Sequence, residues 1–264
     1  MNRLNVELSP ELEVYREQIE ATIKPYVQIK LTDNDKPTLW QSKFGGLPYL
    51  PKGYDYPKAA NGDYLYLLAQ INFAEVPTLE GFPDKGILQF FIAPSDSYGL
   101  DYDDPKLQNT FRVVYFADVE KDETNLVTDF SFLPEIEDIY TMPFEGCCQV
   151  TFQSGYAPIS AVDYKFDLFP LFEDGYEEIA EEYFDKFCLE QHQLGGYPNF
   201  TQDDPRGYRE ENQESYILLF QMCSERNEAI DICWGDVGIA NFFTRPSDMA
   251  KRDFTSIWYN WDCT

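Results

Sequence analysis

Gly45-Gly46-Leu47-Pro48, then Tyr66-Leu67-Leu68-Ala69-Gln70-Ile71, then Gly86-Ile87-Leu88-Gln89-Phe90-Phe91-Ile92-Ala93-Pro94-Ser95-Asp96 is a series that the chain carries twice. The second copy reads Gly195-Gly196-Tyr197-Pro198, then Ile217-Leu218-Leu219-Phe220-Gln221-Met222, then Gly238-Ile239-Ala240-Asn241-Phe242-Phe243-Thr244-Arg245-Pro246-Ser247-Asp248. Gly45 and Gly195 lie 150 residues apart, Gln70 and Gln221 lie 151 apart, and Gly86 and Gly238 lie 152 apart. Arg112-Val113-Val114-Tyr115-Phe116-Ala117-Asp118 and Ser256-Ile257-Trp258-Tyr259-Asn260-Trp261-Asp262 extend the match at 144, and a longer Ser97 to Thr110 loop in the first copy explains the slip. A repeat of this length is a half-domain rather than a solenoid turn. It predicts one globular unit over 1–264, with a first repeat at 36–120 and a second at 186–264. Two such halves would pack about a pseudo-dyad, with the cleft between them as the natural place for a ligand.

Within each copy the apolar runs read as strands. Leu67, Ala69 and Ile71 share one face and Leu68, Gln70 and Asn72 the other, with glycine and proline at the ends. Val27 to Leu31 alternates in the same way, Val113 to Phe116 makes a further strand, and Cys148 to Phe152 and Tyr164 to Phe169 are weaker candidates. Ser9-Pro10-Glu11 has the composition of a helix start, followed by Leu12, Tyr15, Ile19 and Ile23 as an apolar stripe that Pro25 ends. A short helix is expected over Thr38 to Phe44. A long one is expected from Glu173 or Asp174 to Gln193, with Tyr176, Ile179, Tyr183 and Phe187 buried and Gly195 as its C-terminal cap. The expected class is α+β and β-rich: two similar antiparallel β-sheet halves with a few flanking helices.

Composition limits the function classes. The 264 residues suffice for a large core, and 44% hydrophobic content with 17% aromatic excludes a disordered chain. The formal charge is −27, from 47 acidic and 20 basic residues. Such a field repels nucleic acid and anionic membrane surfaces, and it attracts basic proteins, cations or polyamines. Plain solubility is the simpler reason for it. No signal-like or membrane-spanning run is present in the sequence, so a cytoplasmic location is expected. Six cysteines, at 147, 148, 188, 223, 233 and 263, show neither C-x-x-C nor a framework spacing and are expected as reduced thiols.

Candidate chemistry is sparse. His192 is the one histidine, so any Ser-His-Asp or Cys-His dyad depends on it. Its counterpart in the first copy is Ser42, and a helix-terminal histidine is the simpler reading. Gly-Gly-x-Pro reads as a stop and turn, since a phosphate cradle needs a helix after the glycines. Gln70, Gln221, Gln89 and Asn241 sit inside apolar strands, where an amide needs internal partners or forms the polar floor of a cleft. The acidic loops at Asp101 to Pro105 and Asp203 to Arg206 lack the calcium-loop spacing, and carboxylate pairs that would suit glycoside hydrolysis are common in so acidic a chain. His192, Gln202, Asp204 and Arg206 form the densest polar cluster, with Trp234 and Asp236 as further ligand-binding candidates; an Arg–Asp loop brace is the plainer use. No catalytic residue, metal site or cofactor motif is assigned.

Ser42-Lys43-Phe44-Gly45-Gly46-Leu47-Pro48, Leu67 to Phe73, His192-Gln193-Leu194-Gly195-Gly196-Tyr197-Pro198 through Arg206, and Trp234-Gly235-Asp236-Val237-Gly238 together resemble the YwqG family of bacterial proteins, from about Leu39 to the C-terminus. The resemblance implies a soluble bacterial protein of unassigned activity, with no catalytic residues to carry over. The association of its relatives with secreted-toxin gene neighbourhoods suggests an immunity or accessory role. Two functions are therefore in play. One is a non-enzymatic binding or immunity-type protein that uses an acidic surface on a basic protein partner. The other is a hydrolase or small-ligand-binding enzyme with a site between the halves near His192, Asp204 and Arg206. A deep cleft where those side chains converge favours the enzyme, and a filled interface favours the binder.

Overall fold

A computed structural model describes residues 3–136, 139–208 and 214–264. In chain order the regular elements are α1 (Pro10–Glu13), α2 (Arg16–Ala21), β1 (Lys24–Leu31), β2 (Lys43–Gly45), β3 (Tyr66–Asn72), β4 (Ile87–Ile92), β5 (Phe111–Phe116), β6 (Phe144–Ala157), α3 (Glu177–Phe187), β7 (Gln193–Gly195), β8 (Ile217–Cys223), β9 (Glu225–Arg226), β10 (Ile230–Ile232), β11 (Gly238–Thr244), α4 (Pro246–Lys251) and β12 (Trp258–Cys263). Ten strands follow the order β12-β11-β8-β7-β1-β6-β2-β3-β4-β5, every pair antiparallel, and β9 and β10 extend off β6. Among the described residues no helix is long and apolar enough to cross a membrane.

The centre of the sheet crosses over between the halves. β1 pairs with β6 from Lys24↔Ala157 to Leu31↔Val150. β1 also pairs with β7 of the second half, Val27 opposite Leu194, while β6 pairs with β2 of the first half, Cys148 opposite Phe44. The leading strand of each half thus lies in the sheet of the other. Two loop-to-strand bonds repeat the pattern: Ile29 N–H donates to His192 O at 2.8 Å and Val150 N–H donates to Ser42 O at 3.2 Å.

The sheet curls so that its two wings face one another. Phe90 lies 4.8 Å from both Phe220 and Phe242, Phe44 lies 5.8 Å from Phe220, and Phe111 lies 5.3 Å from Tyr259, ring centre to ring centre. These rings are fully or almost fully buried in one continuous core. Each buried phenylalanine contributes roughly 1.5–3 kcal/mol by leaving water, so this filled seam adds to the strand pairing that joins the wings. The outer faces of the wings are buried as well, which is why every residue of β4 and β11 is buried and both strands are mainly apolar rather than alternating. Tyr49, Leu50, Leu126 and Phe130 cover one of them, and Phe200 and Tyr216 pack with Trp258 of β12 on the other.

The buried amides hold those covering segments down. Gln70 Oε1 accepts Tyr49 N–H at 2.7 Å, and Gln89 Nε2 donates to Tyr49 O at 2.7 Å. In the other wing Gln221 Oε1 accepts Asn199 N–H at 2.7 Å, and Asn241 Nδ2 donates to Asn199 O at 2.9 Å. Each pair of amides takes the part of a neighbouring strand for one loop residue. The amides bond within their own wing.

Four local expectations are corrected. Thr38 to Phe44 is not helical: its end forms β2, because the strand pairing with β3 and β6 outweighs local preference. The N-terminal helix ends before Pro25, which lies inside β1. The later helix, α3, stops at Phe187, and Gln193 to Gly195 is strand β7. Gly195 is therefore not a helix cap. Its φ of 65°, like the 66° of Gly45, belongs to the turn that leaves a short strand, and a left-handed residue there favours glycine just as a cap does. Tyr164 to Phe169 forms no strand. Ser9 does cap α1, its Oγ accepting Leu12 N–H at 3.1 Å.

Candidate functional site

His192 precedes β7 and is completely buried. Its Nδ1 accepts the backbone N–H of Cys223 at 3.0 Å, which assigns the ring proton to Nε2. Nε2 lies 3.0 Å from Glu225 Oε2, poorly aligned for a hydrogen bond but close enough for a polar contact. The imidazole beside it holds the Glu225 carboxyl below its ordinary value, against the opposing effect of partial burial. The ring meets Phe44 edge-on with centres 5.0 Å apart. In the first wing Ser42 Oγ accepts the N–H of Asn72 at 2.8 Å, so the hydroxyl and the imidazole serve the same strand position. With Nδ1 engaged and the ring enclosed, His192 is placed as a strand-capping group rather than as a base facing substrate.

Asp204 and Arg206 are brought together at the start of a short 3₁₀ turn, Pro205–Tyr208, which Asp204 precedes. Arg206 Nε donates to Asp204 Oδ1 at 2.9 Å and Nη2 to Asp204 Oδ2 at 2.6 Å, a two-pronged contact that matches guanidinium to carboxylate. Nη2 also reaches Asp163 Oδ2 at 2.8 Å and Nη1 donates to Tyr216 O at 3.1 Å. The guanidinium side chain is 5% exposed, between the rings of Tyr164 and Phe243 at 5.0 and 4.7 Å. Burial disfavours its charge, but the two carboxylates outweigh that cost and hold its pKa above the ordinary value. Both Asp204 oxygens are engaged, Oδ1 with Arg206 N–H and Oδ2 with Tyr164 N–H at 3.0 Å. The group ties the 204–206 turn to the 163–164 segment and to the start of β8.

The remaining candidates lie in other surroundings. Gln202 faces the end of β12: its N–H donates to Asp262 Oδ2 at 3.1 Å and its Nε2 to Cys263 O at 2.7 Å. Trp234 is buried against Tyr98, Tyr259 and Trp261. Asp236 is exposed on the adjoining turn, where its carbonyl accepts the Cys233 thiol. Among the described residues no hydrogen bond or ion pair links His192 to Gln202, Asp204 or Arg206. The structure thus brings Asp204 and Arg206 together and places His192, Gln202, Trp234 and Asp236 in separate surroundings. All six cysteines are unpaired, and no cluster of three or more metal-ligating side chains occurs among the described residues.

Two features were not singled out in the sequence. Lys43 is buried with its Nζ donating to Thr38 O, Leu39 O and Leu47 O at 2.8, 3.3 and 2.9 Å. Burial lowers its pKa to about 8. The other is a cleft of about 610 Å³ lined by Tyr56, Lys58, Tyr64, Arg112 and Phe132. Its residues come from three separate stretches of chain, and no local motif announces them.

The chain belongs to the family described as Domain of unknown function (DUF1963), whose model matches residues 42–263. The match covers both wings and leaves α1, α2 and β1 outside it. No curated protein matches the chain.

Proposed function

We propose that this member of the family is a non-enzymatic binding protein whose acidic helical face takes a basic protein partner. The observation that carries the reading is the placement of its carboxylates. α1, α2 and α3 pack through Leu12, Ile19, Ala180, Tyr183 and Phe187 into a cluster of their own beside the sheet. Glu11, Glu13, Glu17, Glu177, Glu178, Glu181 and Asp185 are exposed on those helices. The two bases on these helices are engaged, Arg16 with Glu13 and Glu20 and Lys186 with Glu182. A surface of this kind speeds and orients encounter with a positively charged protein, and its effect falls with salt.

The seam between the wings is filled by aromatic rings, which favours the binder over an enzyme with its site there. The rival site near His192, Asp204 and Arg206 draws no support from the geometry, since those groups are buried and engaged. We further propose that the wings arose by internal duplication; the matched bonds of Gln70 and Gln221, and of Ser42 and His192, support it. The YwqG-like sequence features suggest a bacterial, cytoplasmic protein of immunity or accessory type. The test is capture from a bacterial lysate. A basic protein retained at low salt and released at high salt is expected; capture of neutral or acidic proteins, insensitive to salt, would refute the reading.

A further inference from the structure

We propose that the cleft between the hairpin at 57–65 and strand β5 binds a small aromatic anion, a ring bearing a carboxylate or a phosphate. The hairpin is closed by Leu65 N–H donating to Pro57 O at 3.2 Å and by the Lys58↔Tyr64 bridge, with Gly62 left-handed at its tip. It stands against Arg112 and Val114 of β5, and Phe132 closes the third side of a space of about 610 Å³. That volume suits a small organic ligand.

The lining has the two components that such a ligand requires. The first is a wall of rings: Tyr56 meets Tyr64 and Phe132 edge-on at 5.7 and 5.4 Å, and Tyr64 lies 5.5 Å from Phe132. Phe132 is 41% exposed and presents apolar surface to the cleft. The second is positive charge without a counter-ion. Among the described residues neither Lys58 nor Arg112 takes part in an ion pair. Arg112 Nη2 reaches only carbonyls, Gln108 O at 3.1 Å and Lys58 O at 3.4 Å, and its buried Nε has no partner. Lys58 Nζ sits 4.4 Å above the Tyr64 ring. The Tyr56 and Tyr64 hydroxyls make no hydrogen bond among the described residues.

Among the described residues Asp55 is the one carboxylate in this lining. By formal charge the described lining, with Lys58 and Arg112 against Asp55, is net positive in a chain of formal charge −27. A carboxylate or phosphate would give the guanidinium the two-pronged partner it lacks, while its ring would stack within the aromatic wall.

The experiment titrates the full chain with 4-hydroxyphenylacetate, with phenyl phosphate and with the neutral 4-hydroxyphenylacetamide, followed by amide chemical shifts in 15N-labelled protein. Saturable binding of at least one anion is expected, with shifts centred on Tyr56, Tyr64, Arg112 and Phe132 and no binding of the amide. The anion that binds distinguishes carboxylate from phosphate. Arg112→Gln should weaken binding about tenfold or more. Lys58→Gln, at an exposed position, supplies the same comparison if Arg112→Gln fails to fold. Absence of binding by both anions at millimolar concentration, equal binding of the amide, or unchanged affinity in the folded variants would overturn the proposal.

Discussion

Gln70 and Gln221 make matching contacts in opposite wings: each Oε1 accepts a loop N–H at 2.7 Å, from Tyr49 and from Asn199. Each Nε2 also donates to a loop carbonyl at 2.8 Å, Gln41 O in one case and Gln191 O in the other. Both side chains are fully buried. Replacing either with leucine would leave a buried N–H and carbonyl without partners. Gln70→Leu and Gln221→Leu should each lose on the order of 1–3 kcal/mol or more in denaturant unfolding. A loss confined to one wing would count against their equivalence.

Lys43 and Gln193 supply a second matched pair. Lys43 Nζ donates to Leu47 O at 2.9 Å, and Gln193 Nε2 donates to Tyr197 O at 2.8 Å. Lys43→Gln should therefore fold and hold its loop, whereas Lys43→Met, which deprives three carbonyls of a donor, should be less stable than Lys43→Gln by roughly 1–3 kcal/mol.

The same lysine gives a pH dependence. Its folded pKa is lowered to about 8 from an ordinary 10.5, chiefly by burial. Below about pH 8 both states are protonated and the folded state carries the full cost of a buried ammonium. Between 8 and 10.5 the unfolded state binds more proton, so this group's contribution to stability rises with pH, by at most on the order of 3 kcal/mol. The stability of wild type minus that of Lys43→Gln should rise across that window in denaturant melts. A flat difference would show that the carbonyl cage fully supports the charge.

Arg206 is predicted to be structural. Arg206→Ala would leave Asp163 and Asp204, both buried, without their cation, a change expected to cost about 3–5 kcal/mol. Thermal and denaturant unfolding measure it. A variant of wild-type stability would reopen the case for a ligand at this place.

The sequence made some levels of this arrangement readable. An amide in the middle of an apolar run is conspicuous, so Gln70, Gln89, Gln221 and Asn241 could be identified as needing internal partners. The helix start at Ser9 is encoded within four residues and reads correctly. The crossing of β1 into the second wing and of β6 into the first depends on contacts more than a hundred residues apart, which no local period records. Thr38 to Phe44 and the stretch before Gly195 misled for a related reason: a left-handed glycine ends a helix or a short strand equally well, and tertiary pairing decides which. His192 was conspicuous as the one histidine, but its burial and its bond to Cys223 follow from packing alone.

The most direct test of the binding account is the association rate of the captured basic partner as a function of ionic strength. It should be measured for wild type and for a variant carrying Glu177→Gln, Glu178→Gln, Glu181→Gln and Asp185→Asn, after both are shown to melt alike. The wild-type rate should fall steeply as salt is added, and the variant should be slower at low salt with a flatter dependence. A variant with the wild-type rate and the same salt dependence would contradict the binding account.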